Sequence, residues 1–164
     1  PPRSGVWNRL SAVTRSIAAK ARIVQADERE RAGGPRTALN FGHTLGHAIE
    51  SVLGYRRLLH GEAVAIGMRA AAGLSVRLDG LAPESHIRLE AALDHLGLPV
   101  TMPKLPLAEL LAAMQNDKKR TLRQVRWVLT PRIGDASVPR AVESQLVRAA
   151  LVLAGARTKR AWRD

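Results

Sequence analysis

Apolar residues recur at helical spacing along most of the chain. From about Trp7 to Ala26, the residues Leu10, Val13, Ile17, Ala21 and Val24 form one stripe, which predicts an amphipathic helix carrying Lys20 on its later turns. The charged run Asp27-Glu28-Arg29-Glu30 ends it, and Gly33-Gly34-Pro35 reads as a loop. Pro35 suits the start of a second helix, Arg36 to about Leu53, closed by Gly54. After a turn at Tyr55 to Arg57, a long helix is predicted from about Leu59 to Leu78, stopped by Asp79-Gly80. Pro83 and Glu84 open another to about Leu96, with Gly97 and Pro99 beyond, and a loop containing Pro103 leads to a helix from about Pro106 to Asn116. The pattern then changes. Gln124 to Thr130 alternates and is rich in β-formers, and Pro131 to Gly134 reads as a turn, so a small strand pair is predicted there. Pro139 to about Ala156 predicts a final helix.

These elements predict a mainly α, multihelical domain of about six helices with a small β-hairpin, over residues 1–156. Residues 157–164 form a basic tail. No internal repeat or low-complexity block is visible. No strand, Gly-rich loop and helix follow one another, so no dinucleotide-binding half is expected in this chain.

Composition narrows the class. With 164 residues, 46% of them hydrophobic, the chain can build one domain with a real core, and the 3% of aromatics leave Leu, Ala, Val and Ile to fill it. It has no cysteine, which excludes disulfides and thiolate zinc sites, so a metal would be held by histidine and carboxylate. No apolar run is long enough to cross a bilayer and no signal-peptide pattern opens the sequence, so a cytoplasmic protein with no membrane partner is expected. The formal charge of +12 (26 basic against 14 acidic residues) raises nucleic acid as a partner. However, the charges are dispersed apart from short runs at Asp117 to Arg120 and Arg157 to Arg163, and the few aromatics make no base-stacking platform. No specific nucleic-acid partner is expected. An anionic small substrate and a solvated Arg-rich surface account for the charge.

The run RTALNFGHTLGHAIE holds the candidate chemistry. Arg36, Asn40, His43, His47 and Glu50 are spaced 4, 3, 4 and 3, the repeat of one helical face, and here that face is polar throughout. His43 and His47, four apart, have the spacing that lets two imidazoles meet one metal ion. Alone, such a pair more often marks two partly buried helix histidines, and no glutamate follows His43 as it would in a helix-borne metalloprotease. His60, ten residues after Glu50, offers a third imidazole. Glu62 either orients it or favours the helix N-terminus. Gly42, Gly46, Gly61 and Gly67 cost helix stability, about 1 kcal/mol each against alanine, and imply close approach by a ligand or by another helix.

Taken together, Asp27-Glu28-Arg29-Glu30, Arg36, the run from Leu39 to Glu50 (LNFGHTLGHAIE), Gly54-Tyr55, the run from Leu59 to Met68 (LHGEAVAIGM), Asp117-Lys118-Lys119, Val128-Leu129 and Ile133-Gly134 closely resemble 3-dehydroquinate synthase. The resemblance covers roughly residues 15 to 135 and points to that enzyme's C-terminal domain. It implies the conversion of 3-deoxy-D-arabino-heptulosonate 7-phosphate to 3-dehydroquinate plus phosphate, a shikimate-pathway lyase reaction using NAD and zinc or cobalt, by a homodimer. There, C5 is transiently oxidised, phosphate leaves by β-elimination, the ketone is reduced again, and an aldol step closes the ring. By the same resemblance His43 and His60 are metal ligands, alongside a glutamate that lies upstream of this segment. His47, Lys20 and Glu30 are catalytic. Arg36, Asn40, His47 and one or other of Lys118 and Lys119 contact the substrate.

The sequence departs from that pattern in several places. The NAD-binding domain and the glutamate ligand, both N-terminal in the family, are missing, so the fragment is expected to be inactive alone. The loop from Glu30 to Arg36 is about two residues longer, Arg123 stands where a glycine is common, and the tail from Arg157 has no counterpart. Two other readings remain: another sugar phosphate cyclase of the same fold, and a non-catalytic remnant that binds anions or a partner protein. Arg36, Asn40, His47 and the lysine pair suit a carboxylate-bearing substrate, which favours dehydroquinate synthase.

Overall fold

The computed structural model describes residues 9–31, 33–115 and 125–158. Helix α1 spans Arg9–Ala26, a 3-10 helix spans Pro35–Asn40, and α2 spans His43–Val52. Helices α3 (His60–Leu78), α4 (Pro83–His95) and α5 (Leu107–Gln115) follow, then strands β1 (Arg126–Trp127) and β2 (Arg140–Ala141), and finally α6 (Ser144–Leu153). The domain is thus mainly α with one small antiparallel strand pair. Leu45 and Ile49 fall four apart on α2, and Ile66, Ala70 and Leu74 repeat at the same spacing on α3. These two faces meet, and Leu110, Trp127, Leu129 and Leu151 complete a core from which water is excluded. Helix α2 packs on α3 and α5, and α3 packs also on α4 and α6.

Three glycines let α2 and α3 approach backbone to backbone. Gly42 has φ +83°, and a Cβ there would lie 2.6 Å from the Met68 nitrogen. At Gly67 a Cβ would come within 1.9 Å of the Gly42 carbonyl oxygen, and at Gly46 within 3.2 Å of the Val64 Cα. Helix contact therefore explains these three. Gly61 has nothing within 4 Å.

The structure corrects the sequence reading in three places. First, the helix expected from Arg36 to Leu53 is two elements. The left-handed turn at Gly42 needed to reach α3 ends the 3-10 helix and lets α2 begin at His43. Arg36 and Asn40 therefore do not share an α-helical face with the histidines. Second, β1 pairs with Arg140–Ala141, well beyond the turn at Pro131 to Gly134, so α6 starts at Ser144 and not near Pro139. The intervening loop is held by Thr130 N–H on Ser75 Oγ (3.0 Å) and Ser137 N–H on Leu129 O (2.8 Å), while the Arg140 guanidinium meets Leu78 O and the Asp79 carboxylate. Third, the apolar stripe of α1 is not buried: Val13 is 56% and Ile17 64% exposed, and α1 rests on the 3-10 helix alone among the elements with substantial contact. Arg157, placed at the start of the tail, is tied down by Arg157 N–H to Leu105 O (2.7 Å) and Leu107 N–H to Arg157 O (2.9 Å). Lys118, Lys119 and Arg123 lie outside the described residues. Among the described residues no helix is long and apolar enough to cross a membrane.

Candidate metal centre

His43 is the first residue of α2, His47 lies one turn on, and His60 opens α3. Because the glycine contacts bring the two helices together, the three rings converge. Ring centroids are 5.3 Å apart for His43 and His47, 5.3 Å for His43 and His60, and 5.9 Å for His47 and His60. One ligand atom from each lies within 4.8 Å of the others.

Two of the rings are oriented from behind. His60 Nδ1 is 3.0 Å from Glu50 Oε1, and His43 Nδ1 is 3.4 Å from the Phe41 carbonyl. With Nδ1–H donated to those oxygens, each Nε2 keeps its lone pair for a ligand, the arrangement that supports metal-bound histidines. His47 is exposed and makes no hydrogen bond to any described residue. Burial pushes the His43 pKa below its ordinary 6.5. The neighbouring His47 and His60 act in the same direction, against the Phe41 carbonyl and Glu50. His43 is thereby held in the neutral form that binds metal. The donor set fits a divalent ion of borderline softness such as zinc or cobalt.

The histidines face a cleft of about 880 Å³, lined also by Glu30, Asn40, Thr44, Tyr55, Arg126 and Pro139. Glu30 (φ +49°) and Tyr55 (φ +58°) are both in the left-handed region, a strain of about 1–3 kcal/mol each that the surrounding contacts sustain. Of the other residues expected at a site, Glu30 and Asn40 line the cleft. Arg36 does not, but its Nε stands 3.9 Å from Glu30 Oε2 and its Nη1 donates to Glu28 O at 3.1 Å, which steadies Glu30 at the rim. Lys20 is exposed on α1 and is not part of the cleft wall.

Sequence reasoning left one carboxylate open between two roles, of which the structure shows the second, and missed one cation. Glu62 does not orient His60; its Oε2 accepts the Leu59 N–H at 2.8 Å and caps α3. Glu50, 8% exposed, is the residue that holds His60. Its place at the end of the polar stripe, one turn beyond His47, was the available signal. Arg126 lines the cleft from β1, its carbonyl accepting the Thr44 hydroxyl (3.0 Å) and its Nε donating to Pro139 O (3.1 Å). Alternation around the buried Trp127 turns Arg126 outward, which would have marked it. A second groove, about 930 Å³, lies between the 3-10 helix, α4 and the loop at 130–138. It is mostly apolar and contains no histidine.

Chemically, the cleft offers three imidazoles for a cation, with an amide, a guanidinium and a rim carboxylate for an oxygen-rich anion. The family profile "3-dehydroquinate synthase C-terminal" matches residues 6–120. The chain is 45% identical over 141 residues to the 3-dehydroquinate synthase of Acinetobacter baumannii (strain AYE), covering 86% of the chain and 39% of that protein. It is 48% identical over 125 residues to that of Methylacidiphilum infernorum (isolate V4), covering 76% and 35%. The chain thus spans less than two fifths of these relatives' length. Among solved structures it is similar to ValA, a 2-epi-5-epi-valiolone synthase from Streptomyces hygroscopicus subsp. jinggangensis 5008 with NAD+ and Zn2+ bound (TM-score 0.73, 25% identity, 88% of this chain and 39% of that one). A 2-deoxy-scyllo-inosose synthase complexed with carbaglucose-6-phosphate, NAD+ and Co2+ shares the fold (TM-score 0.73, 23% identity, 85% and 40%).

Proposed function

The chain belongs to the 3-dehydroquinate synthase family, and from that premise we propose that it is the metal- and substrate-binding domain of an enzyme making 3-dehydroquinate and phosphate from 3-deoxy-D-arabino-heptulosonate 7-phosphate. The observation that carries this reading is the convergence of three imidazoles, two of them oriented through Nδ1, in one cleft with Glu30, Asn40 and Arg126.

His43 and His60 would hold zinc or cobalt, which supplies a Lewis acid to polarise a substrate oxygen. Glu50 keeps His60 in the right tautomer and orientation. His47, exposed and unheld, is free to take a proton from the substrate and return it. Glu30, strained at the rim and steadied by Arg36, is a second proton carrier. Asn40 reads a hydroxyl or carboxylate, and, as the resemblance implies, Lys20 is catalytic and one of Lys118 and Lys119 contributes an anion contact. NAD is bound by a part of the enzyme outside this chain, as a homodimer, and in the cytoplasm. The chain alone lacks that oxidant and should not turn over. The 45% identity to 3-dehydroquinate synthase, against 25% to ValA, favours this substrate over that of a related cyclase.

The full-length protein is assayed for NAD-dependent phosphate release from the heptulosonate phosphate, with and without chelator. Activity is expected to vanish with chelator and with His43→Ala or His60→Ala, and to fall about 10²–10⁴-fold with His47→Ala, the usual range for a general acid–base group. Turnover that survives replacement of both His43 and His60 would sink the metal assignment.

A further inference from the structure

We infer that Asp27 is a positioning residue for Glu30: its buried carboxylate sets the turn after α1 in the form that delivers Glu30 to the cleft. The inference deepens the proposed function and rests on its reading of Glu30 as a proton carrier. Asp27 directly follows the last residue of α1 and is 5% exposed. Helix stability does not ask for it there. A carboxylate at a helix C-terminus faces the negative end of the dipole, and no cation among the described residues pairs with this one.

The local bonds show what the carboxylate does instead. Oδ1 accepts the Arg31 N–H at 2.9 Å, and the Asp27 carbonyl accepts the Glu30 N–H at 3.3 Å. The peptide groups on both sides of the Glu30 Cα are thus tied to one residue, which fixes both of its backbone dihedrals. Glu30 is held in this way at φ +49°, a conformation that a residue with a side chain rarely adopts unless its surroundings impose it. The other carboxylate oxygen is packed in place. Oδ2 has no hydrogen bond to any described residue, and a Cβ on Gly34 would lie 2.2 Å from it. Gly34 has φ −71°, which any residue adopts, so glycine stands there to make room for the carboxylate. Arg36 completes the arrangement from beyond the turn, with Nε 3.9 Å from Glu30 Oε2 and Nη1 donating to Glu28 O. Asp27 sets the backbone of Glu30, and Arg36 steadies its side chain.

The test is steady-state phosphate release by the full-length enzyme carrying Glu30→Gln, Asp27→Ala, Asp27→Asn or Gly34→Ala, and by the double variant Asp27→Ala with Glu30→Gln. Asp27→Ala is expected to lower kcat by about 100-fold, the cost of a displacement near 1 Å at the chemistry, with KM nearly unchanged. Gly34→Ala drives a methyl group onto Oδ2 and should give a similar loss. Asp27→Asn keeps an acceptor for the Arg31 N–H and should recover most of the activity. In the Glu30→Gln background Asp27→Ala should cost nothing further, because residues that act through one another do not add. A general loss of structure would instead lower kcat in both backgrounds. Losses that multiply in the double variant, an unchanged kcat in Asp27→Ala, or an Asp27→Asn variant as slow as Asp27→Ala would each overturn the inference while leaving Glu30 as a proton carrier. An unchanged kcat in Glu30→Gln would remove that reading of Glu30, and the inference with it.

Discussion

His43 is the most constrained member of the triad, half-buried under the first turn of α2 with two other imidazoles beside it. Its pKa lies below 6.5 because burial disfavours the charged ring, so the folded chain releases this proton more readily than the unfolded one. Above about 6.5 the group is neutral in both states and adds no pH dependence, whereas below it the unfolded state takes up the proton first and is favoured. Urea midpoints of the metal-free chain are expected to fall as pH drops from 7 towards 5, with a shallower slope in His43→Gln. An equal slope in both would remove burial of His43 as the cause. The residue types of the site were legible in sequence, since imidazoles, amide and carboxylate were all named from their spacing. Their pairing was not. That Glu50 serves His60, and Glu62 serves its own helix terminus, depends on how α2 meets α3.

That meeting is a property of elements, and its cause is the absence of three side chains. Gly67→Ala forces a methyl group against the Gly42 carbonyl and should cost about 3 kcal/mol or more, the upper range for overpacking a core, as read by chemical denaturation. Gly61→Ala meets open space at the start of the same helix, and should be neutral or stabilise by up to about 1 kcal/mol. Similar effects for both would mean that the contact at the Gly42 carbonyl does not set the glycine requirement at Gly67. Helix ends were well read from sequence where a glycine stops the chain locally, as at Gly54 (φ +64°) and Gly97 (φ +72°). The break at Gly42 was missed because polar positions spaced 4, 3, 4 and 3 look the same whether the helix is continuous or turns sharply in its midst. The partner of β1 was missed for a related reason: Arg140 and Ala141 are chosen by packing against the end of α3, not by the nearest turn.

At the scale of the molecule, class and family were legible because the helical period and the motif run survive without any tertiary knowledge. The fate of α1 was not. A stripe that is 56% exposed at Val13 and 64% at Ile17 has the same sequence pattern as one that is buried, and only the neighbours decide. The rest of the fold groups around α2 and α3, and one consequence concerns time rather than geometry. All three imidazoles lie between residues 43 and 60, on helices joined by a short turn, so bringing them together closes only a small loop. Strand β2 and α6 must be recruited from residues 140–153, a longer and slower search. The triad should therefore assemble early in folding, before the C-terminal third has docked. In pulse-labelling hydrogen exchange, amides of α2 and α3 should gain protection no later than those of α6, and earlier protection of α6 would contradict this order. An ion present at that stage would clamp two helices while the rest of the core is still forming, so zinc supplied at the start of refolding should speed recovery of structure more than zinc supplied at the end.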